Sequence, residues 1–191
     1  YKMTRNILLV GVGGQGILLA AKITAAAAEI AGYDVTTHEI HGMAQRGGSV
    51  TAQIRFGEKV HSPLIIEGEA DVLGALEAIE ALRYAHYLRE NALAAVSTQQ
   101  IIPVTVSSGK AVYPSDVQSR LEAVFANLKY LDCQGIAEQL GNGKLANTIL
   151  LGALSNGLSL PVKAWEQAIA RCVKPQFVDA NLQAFHAGRE L

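Results

Sequence analysis

The spacing of apolar positions changes along the chain. Asn6-Ile-Leu-Leu-Val10 is an apolar run without alternation, which predicts a strand buried on both faces. Gly11-Val-Gly-Gly-Gln-Gly16 interrupts it, and Ile17 to Ala31 follows as an alanine-rich, proline-free stretch that predicts a helix. Gly32 falls where a helix stops. Asp34 to Ile40 reads as a second strand, so this opening predicts a βαβ unit beginning a parallel sheet. A loop covers His41 to Gly48, with Gly42, Gly47 and Gly48 in it. Ser49 to Phe56 alternates, Gly57-Glu58 reads as a turn, and Lys59-Val60-His61 as a return strand, predicting a hairpin after the loop. Asp71 to Leu76 is a further buried strand, and Glu77 to Arg89 a helix with Ala78, Leu82 and Ala85 on one face.

Strands are predicted next at Ala92–Val96 and Ile101–Val106. A helix follows over Ser115–Asn127, with Ser115 as its N-cap and Leu121, Val124 and Phe125 inward. Leu128–Leu131 reads as a short strand. From Gly135 the pattern is helical: Ile136–Leu140, Leu145–Asn156, Val162–Val173 and Pro175–Ala187. The order predicts an α/β fold, a Rossmann-like, mainly parallel sheet with a β-hairpin insertion and a helical C-terminal part. No repeat, linker or low-complexity stretch divides it. Residues 1–191 are read as a single domain, with Tyr1 and Lys2, which precede Met3, set aside.

Composition narrows the function classes. Half of the 191 residues are apolar and 17% are charged, enough to bury a core and exclude global disorder. Sixteen basic residues face seventeen acidic ones, so a nucleic-acid or anionic-membrane binder is not expected. No apolar run has the length and flanks of a membrane span, and the start lacks a signal-peptide pattern. Cys133 and Cys172 form no CxxC pair and cannot supply the four thiolates of an iron–sulfur cluster. A reduced, soluble, cytoplasmic protein is expected.

Two loops carry the candidate chemistry. Gly11, Gly13 and Gly16 fit GxGxxG between a strand and a helix, where backbone N–H groups and the helix dipole favour an anion such as a phosphate. The same glycines are equally readable as packing residues at a tight strand–helix crossing. Glu39 stands at the offset of a dinucleotide's ribose ligand and is equally a solvated strand-end charge. The second loop, His41-Gly-Met-Ala-Gln-Arg-Gly-Gly48, can present the Arg46 guanidinium beside open backbone N–H groups, which suits a carboxylate or phosphate. Arg46 can equally pair with a carboxylate across a protein–protein contact. The candidate cofactor-binding residues are therefore Gly11, Gly13, Gly14, Gln15, Gly16, His41, Arg46, Gly47 and Gly48. His38-Glu39-Ile40-His41 lacks the i, i+4 spacing of a helical zinc motif, and no metal site is expected. There is no GxSxG elbow and no Walker loop, and no residue is marked as a catalytic base or nucleophile.

Taken in order, GVGGQG (11–16), HGMAQRGGSV (41–50), IRFGEKVHSPLI (54–65), GEAD (68–71), Asn147-Thr148 with Leu151-Gly152-Ala153, and Asn181-x-x-x-Phe185-x-x-Gly188 form a distinctive set. The set resembles the gamma-domain family of 2-oxoacid:ferredoxin oxidoreductases over essentially residues 5 to 190. It is most similar to the indolepyruvate branch, in which the domain is a separate chain. The resemblance implies a reaction in which an arylpyruvate such as indole-3-pyruvate, coenzyme A and oxidised ferredoxin give acyl-CoA, carbon dioxide and reduced ferredoxin. It implies that thiamine diphosphate, magnesium and iron–sulfur clusters reside on a larger alpha subunit. The present chain would be an accessory, inactive alone and holding no cofactor tightly. Its two loops would touch coenzyme A or dock the partner, ferredoxin would engage through the complex, and homodimer contacts are a further expectation. A glycine turn common in the family is replaced here by Arg89-Glu90-Asn91, and Ala92–Ser97 is less β-branched than expected. The rival expectations are a free-standing NAD-binding dehydrogenase, resting on GxGxxG and Glu39, and a ligand-free structural interaction module.

Overall fold

A computed structural model describes residues 4–42, 47–102, 109 and 112–191. Its strands are β1 (Arg5–Val12), β2 (Asp34–His41), β3 (Ser49–Gly57), β4 (Ala70–Ala75), β5 (Leu88–Ser97) and β6 (Asn127–Leu131). The helices are α1 (Ile17–Ile30), α2 (Ala78–Arg83), α3 (Val117–Val124), α4 (Cys133–Gln139), α5 (Ala146–Ser155), α6 (Val162–Cys172) and α7 (Val178–Arg189). The strands form one sheet in the order β2-β3-β1-β4-β5-β6. β1, β4, β5 and β6 pair in parallel, whereas β3 runs antiparallel to both β1 and β2. The expected mainly parallel α/β sheet with a hairpin and a helical C-terminal part is the observed class.

The hairpin itself is built differently from the expectation. Ser49–Gly57 does not fold back on Lys59–His61; its partners are β2 on one side and β1 on the other. With both edges of β3 occupied, residues 59–61 cannot pair back onto it. The chain instead crosses the sheet face, tethered by side chains. Val60 N–H donates to Asp34 Oδ2 at 2.8 Å and Ile65 N–H to Gln53 Oε1 at 2.7 Å. Arg55 reaches the Ser62 and Leu64 carbonyls at 2.7 and 3.0 Å. By the same insertion β1 and β2 run parallel but are not neighbours, so the opening βαβ unit does not pair directly.

Two further expectations shift. The helix read over Glu77–Arg89 ends at Arg83, followed by a tight turn at Ala85–Tyr87, and β5 starts at Leu88. Arg89 is drawn to the sheet by Asp71 at 2.9 Å, a carboxylate that Arg5 and the Asn6 N–H also hold. Asn91 takes φ +60°, and asparagine tolerates this left-handed region better than most residues. The cap of α3 is Asp116, not Ser115; its carboxylate accepts from Arg120 Nε at 2.9 Å instead of capping, and Val124 is exposed while Leu121 and Phe125 are buried. The expected strand Ile101–Val106 lies mostly outside the described residues.

Side chains from β1, β3 and α1 form one core with α4, α5, α6 and α7, and α2 and α3 cover the other face of the sheet. Every residue of α5 is buried. That helix meets α7 so closely that a Cβ on Gly152 would run into the Phe185 carbonyl, and one on Gly188 into that of Ile149. The spaced motifs Asn147…Ala153 and Asn181…Gly188 are thus the two sides of one helix crossing. Because both obstacles are backbone, Gly152→Ala and Gly188→Ala should each destabilise the chain by about 2–3 kcal/mol. Urea unfolding monitored by circular dichroism checks this, with Gly141→Ala, which meets only open space but has a left-handed backbone, as a milder comparison.

Candidate functional site

The glycine loop follows β1 at the carboxyl edge of the sheet, where strands proceed to β3 on one side and β4 on the other. Such a divergence opens a crevice that suits a ligand. Gly13 N–H donates to the Gly48 carbonyl at 2.9 Å and Gly47 N–H to the Gly13 carbonyl at 3.4 Å. Val12 stands opposite Ser49 in the β1–β3 register. Antiparallel pairing therefore brings Gly47 and Gly48, the described end of the second loop, onto the glycine loop.

Gln15 is a brace. Its Oε1 accepts from Val12 N–H at 2.9 Å, and its Nε2 donates to the Leu76 carbonyl and to Gln99 Oε1, both at 2.8 Å. The amide thereby ties the loop to the ends of β4 and β5, and little of it remains for a ligand. Gly16 starts α1 with φ +85°, and Asn147 Nδ2 donates to its carbonyl at 3.2 Å. Asn147 is buried, and behind it Thr148 Oγ1 donates to Asn181 Oδ1 at 2.7 Å. These bonds tie the loop to the α5–α7 crossing.

Between these groups lies a cleft of about 600 Å³. Its walls are Gly13 to Gly16, the apolar Leu19 and Leu76, the amides Gln99, Gln134 and Asn147, and the cation Lys144. Asn147 carried a sequence signal through its motif, but Gln99, Gln134 and Lys144 had none, being brought in from separate segments only by the fold.

The remaining sequence candidates fall elsewhere. His41 is exposed on β2, the edge strand, with Nε2 at 3.9 Å from Glu39. Glu39 borders a different groove of about 420 Å³ together with Lys22, Glu29 and Arg171. Since β3 separates β2 from β1, Glu39 stands about 10 Å farther along the sheet than β1. A ribose ligand would occupy the adjoining strand. Arg46 lies outside the described residues. Among the described residues no group of three or more His, Cys, Asp or Glu is placed to hold a metal. Burial pushes the Cys133 thiol up to about 12, and Cys172 is also raised, chiefly by burial, so neither thiol is activated.

Two buried carboxylates sit on α2 beside this edge. Glu77 Oε2 accepts from Glu80 N–H at 2.9 Å as the helix cap, and its Oε1 takes the Tyr113 hydroxyl at 2.7 Å. Burial and this carboxylate raise the Tyr113 hydroxyl. Glu80 Oε2 accepts from Ser49 Oγ at 2.5 Å, and Arg83 Nε lies 3.3 Å from its Oε1. Burial holds Glu80 above the ordinary 4.5 of a glutamate, against the opposing pull of Ser49 and Arg83.

The profile of a family described as pyruvate ferredoxin/flavodoxin oxidoreductase matches residues 6–191. The indolepyruvate oxidoreductase subunit IorB of Archaeoglobus fulgidus is 44% identical over 190 residues, covering 97% of this chain and 94% of that protein. Among solved structures, the pyruvate oxidoreductase subunit PORC of Thermotoga maritima has 25% identity and a TM-score of 0.73, covering 98% of this chain and 96% of that one. The 2-oxoglutarate:ferredoxin oxidoreductase of Magnetococcus marinus, at 18% identity and TM-score 0.73, shares the fold: all of this chain matches 31% of that longer one. No described helix is long and apolar enough to cross a membrane.

Two outcomes follow. Gln15→Ala leaves the Leu76 carbonyl and the Val12 N–H without their partner and should cost about 2 kcal/mol, read by urea unfolding. Glu80 is favoured in its protonated form by the fold, so its stabilising contribution is fully present below pH 4.5 and is lost as pH rises through its raised value. Glu80→Gln should therefore gain stability relative to the wild type as pH rises above 4.5 through the raised value. A constant difference across that range would show that the carboxylate does not titrate as described.

Proposed function

The chain belongs to the pyruvate ferredoxin/flavodoxin oxidoreductase family, and on that premise we propose that it is the small accessory subunit of an indolepyruvate:ferredoxin oxidoreductase. The near full-length likeness to an indolepyruvate oxidoreductase subunit carries the reading. The reaction converts an arylpyruvate and coenzyme A, with oxidised ferredoxin, into acyl-CoA, carbon dioxide and reduced ferredoxin. The resemblance implies that thiamine diphosphate, magnesium and the iron–sulfur clusters reside on a larger alpha subunit, and the two cysteines of this chain accord with the last of these by falling short of a four-thiolate set. Ferredoxin draws its electrons from those clusters. The chain acts as one domain in the cytoplasm, and alone it turns nothing over.

Its own contribution is the cleft. Gly13, Gly14 and Gly16 bring backbone close to a ligand at the start of α1, where the helix dipole favours an anion. Lys144 adds an exposed positive charge to the lining, and Arg46 adjoins Gly47 in sequence. Leu19 and Leu76 supply apolar walls, while Gln99, Gln134 and Asn147 supply amide donors and acceptors. A phosphate-bearing molecule with an amide-containing arm fits that lining, and coenzyme A is such a molecule. When bound, coenzyme A supplies the thiol that accepts the acyl group; Gly13, Gly14, Gln15 and Gly16 line the cradle, Gly47 and Gly48 hold Gly13 from the side of β3, and Gly11 and His41 lie outside the lining. The NAD-enzyme reading loses support because Glu39 faces a separate groove.

Omitting the chain from a reconstituted complex should abolish arylpyruvate-dependent ferredoxin reduction, and full activity of the alpha subunit alone would refute the subunit role. Lys144→Ala and Arg46→Ala should each raise KM for coenzyme A by about three- to tenfold, the weight of one charged hydrogen bond. Titration of the chain with NAD in a calorimeter should give no heat.

A further inference from the structure

The catalytic reading leaves one well-built feature unused, the carboxylate of Glu80. It is 5% exposed, on a helix whose Ala78 and Ala81 belong to the apolar cluster on that face of the sheet. A buried carboxylate is costly unless its oxygens are satisfied, and an apolar side chain of similar size would serve packing alone as well or better. Helix α2 does not require it, since Glu77 already provides the cap. Arg83 accounts for one oxygen. The other takes the hydroxyl of Ser49, the first residue of β3, with the Tyr84 hydroxyl 3.4 Å away on the same Oγ.

Ser49 occupies a position of leverage. It pairs across the ladder with Val12, where the glycine loop begins, and its own carbonyl accepts from Gly42 N–H at 3.2 Å. The preceding residues, Gly47 and Gly48, exchange backbone hydrogen bonds with Gly13. Glycines alone cannot hold such a junction in one geometry, because their backbones are the least restricted of all. We infer that Glu80 is a positioning residue: by fixing Ser49 it holds Gly47 and Gly48 against Gly13 and so sets the shape of the loop cradle. Its consequence for ligand affinity rests on the proposed binding of coenzyme A, but the positioning itself does not.

Two readouts separate these. The first is amide hydrogen exchange of Gly13 in the full chain, followed by NMR. Ser49→Ala and Glu80→Ala should each speed that exchange by about tenfold, the value of one hydrogen bond, with Ile54 in the middle of β3 unchanged. Glu80→Gln keeps an oxygen for the Ser49 hydroxyl and should stay within about twofold of the wild type. The second readout is KM for coenzyme A in the assembled oxidoreductase. It should rise about five- to tenfold in Ser49→Ala while kcat changes by less than about twofold, and in Glu80→Gln it should stay within about twofold of the wild type. Unchanged Gly13 exchange in Ser49→Ala overturns the inference, and Ser49→Ala disturbs packing little enough to stay interpretable if Glu80→Ala unfolds. Faster exchange with an unchanged KM overturns the link to affinity. If Lys144→Ala and Arg46→Ala also leave KM unchanged, the coenzyme A reading has failed instead, and the exchange result alone decides the positioning role.

Discussion

One strand inserted between two others governs this molecule. β3 runs antiparallel between β1 and β2, and its pairing register sets Ser49 against Val12. A parallel neighbour would have entered from the opposite edge of the sheet and left its preceding loop there. The antiparallel entry instead brings Gly47 and Gly48 onto Gly13. Displacement of β2 to the edge follows from the same insertion. It removes Glu39 from the neighbourhood of the glycine loop and sends Lys59–His61 across the sheet face in place of a further strand.

The cleft that results is held from three directions. Gln15 ties the glycine loop to the ends of β4 and β5, Asn147 ties it to α5, and the Gly13–Gly48 bonds tie it to β3. The α5 tie depends on a distant feature, the contact of Gly152 with α7, because side chains there would push the helices apart and carry Asn147 away from Gly16. Stability and site geometry are therefore linked through two glycines that touch no ligand.

The two ends of the sheet use charge differently. At the amino edge Asp71 is shared by Arg5 and Arg89, groups more than a third exposed, in a network whose role is to anchor chain segments. At the carboxyl edge Glu77 and Glu80 are buried and mostly satisfied by neutral donors: a backbone N–H, tyrosine and serine hydroxyls, with one arginine. Neutral donors leave the carboxylate's charge less compensated, which is why burial raises Glu80. The carboxyl edge is also where the cleft opens.

By itself the sequence determined most of the elements and their class, while the Lys59–His61 strand and the far end of the helix after β4 were misplaced. Unbroken apolar runs at Ile7–Val10 and Val72–Ala75 announced strands covered on both sides, alanine and glycine marked the extent of α1, and the two glycine loops were recognisable because backbone freedom is written in residue identity. The ordered motifs identified the family, even though Gly152 and Gly188 then had no visible purpose. Pairing order was decided only in three dimensions. The alternation of Ser49–Phe56 is satisfied equally by a hairpin with Lys59–His61 and by a place between β1 and β2, since periodicity records which face is buried and not which neighbour is beside it. Gln99, Gln134 and Lys144 entered the cleft for a related reason: they share no segment, and nothing local distinguishes a polar side chain that faces solvent from one that faces a cavity. The partners of a hydrogen bond such as Ser49 to Glu80, thirty-one residues apart, are likewise chosen by packing, which no local rule of the chain encodes.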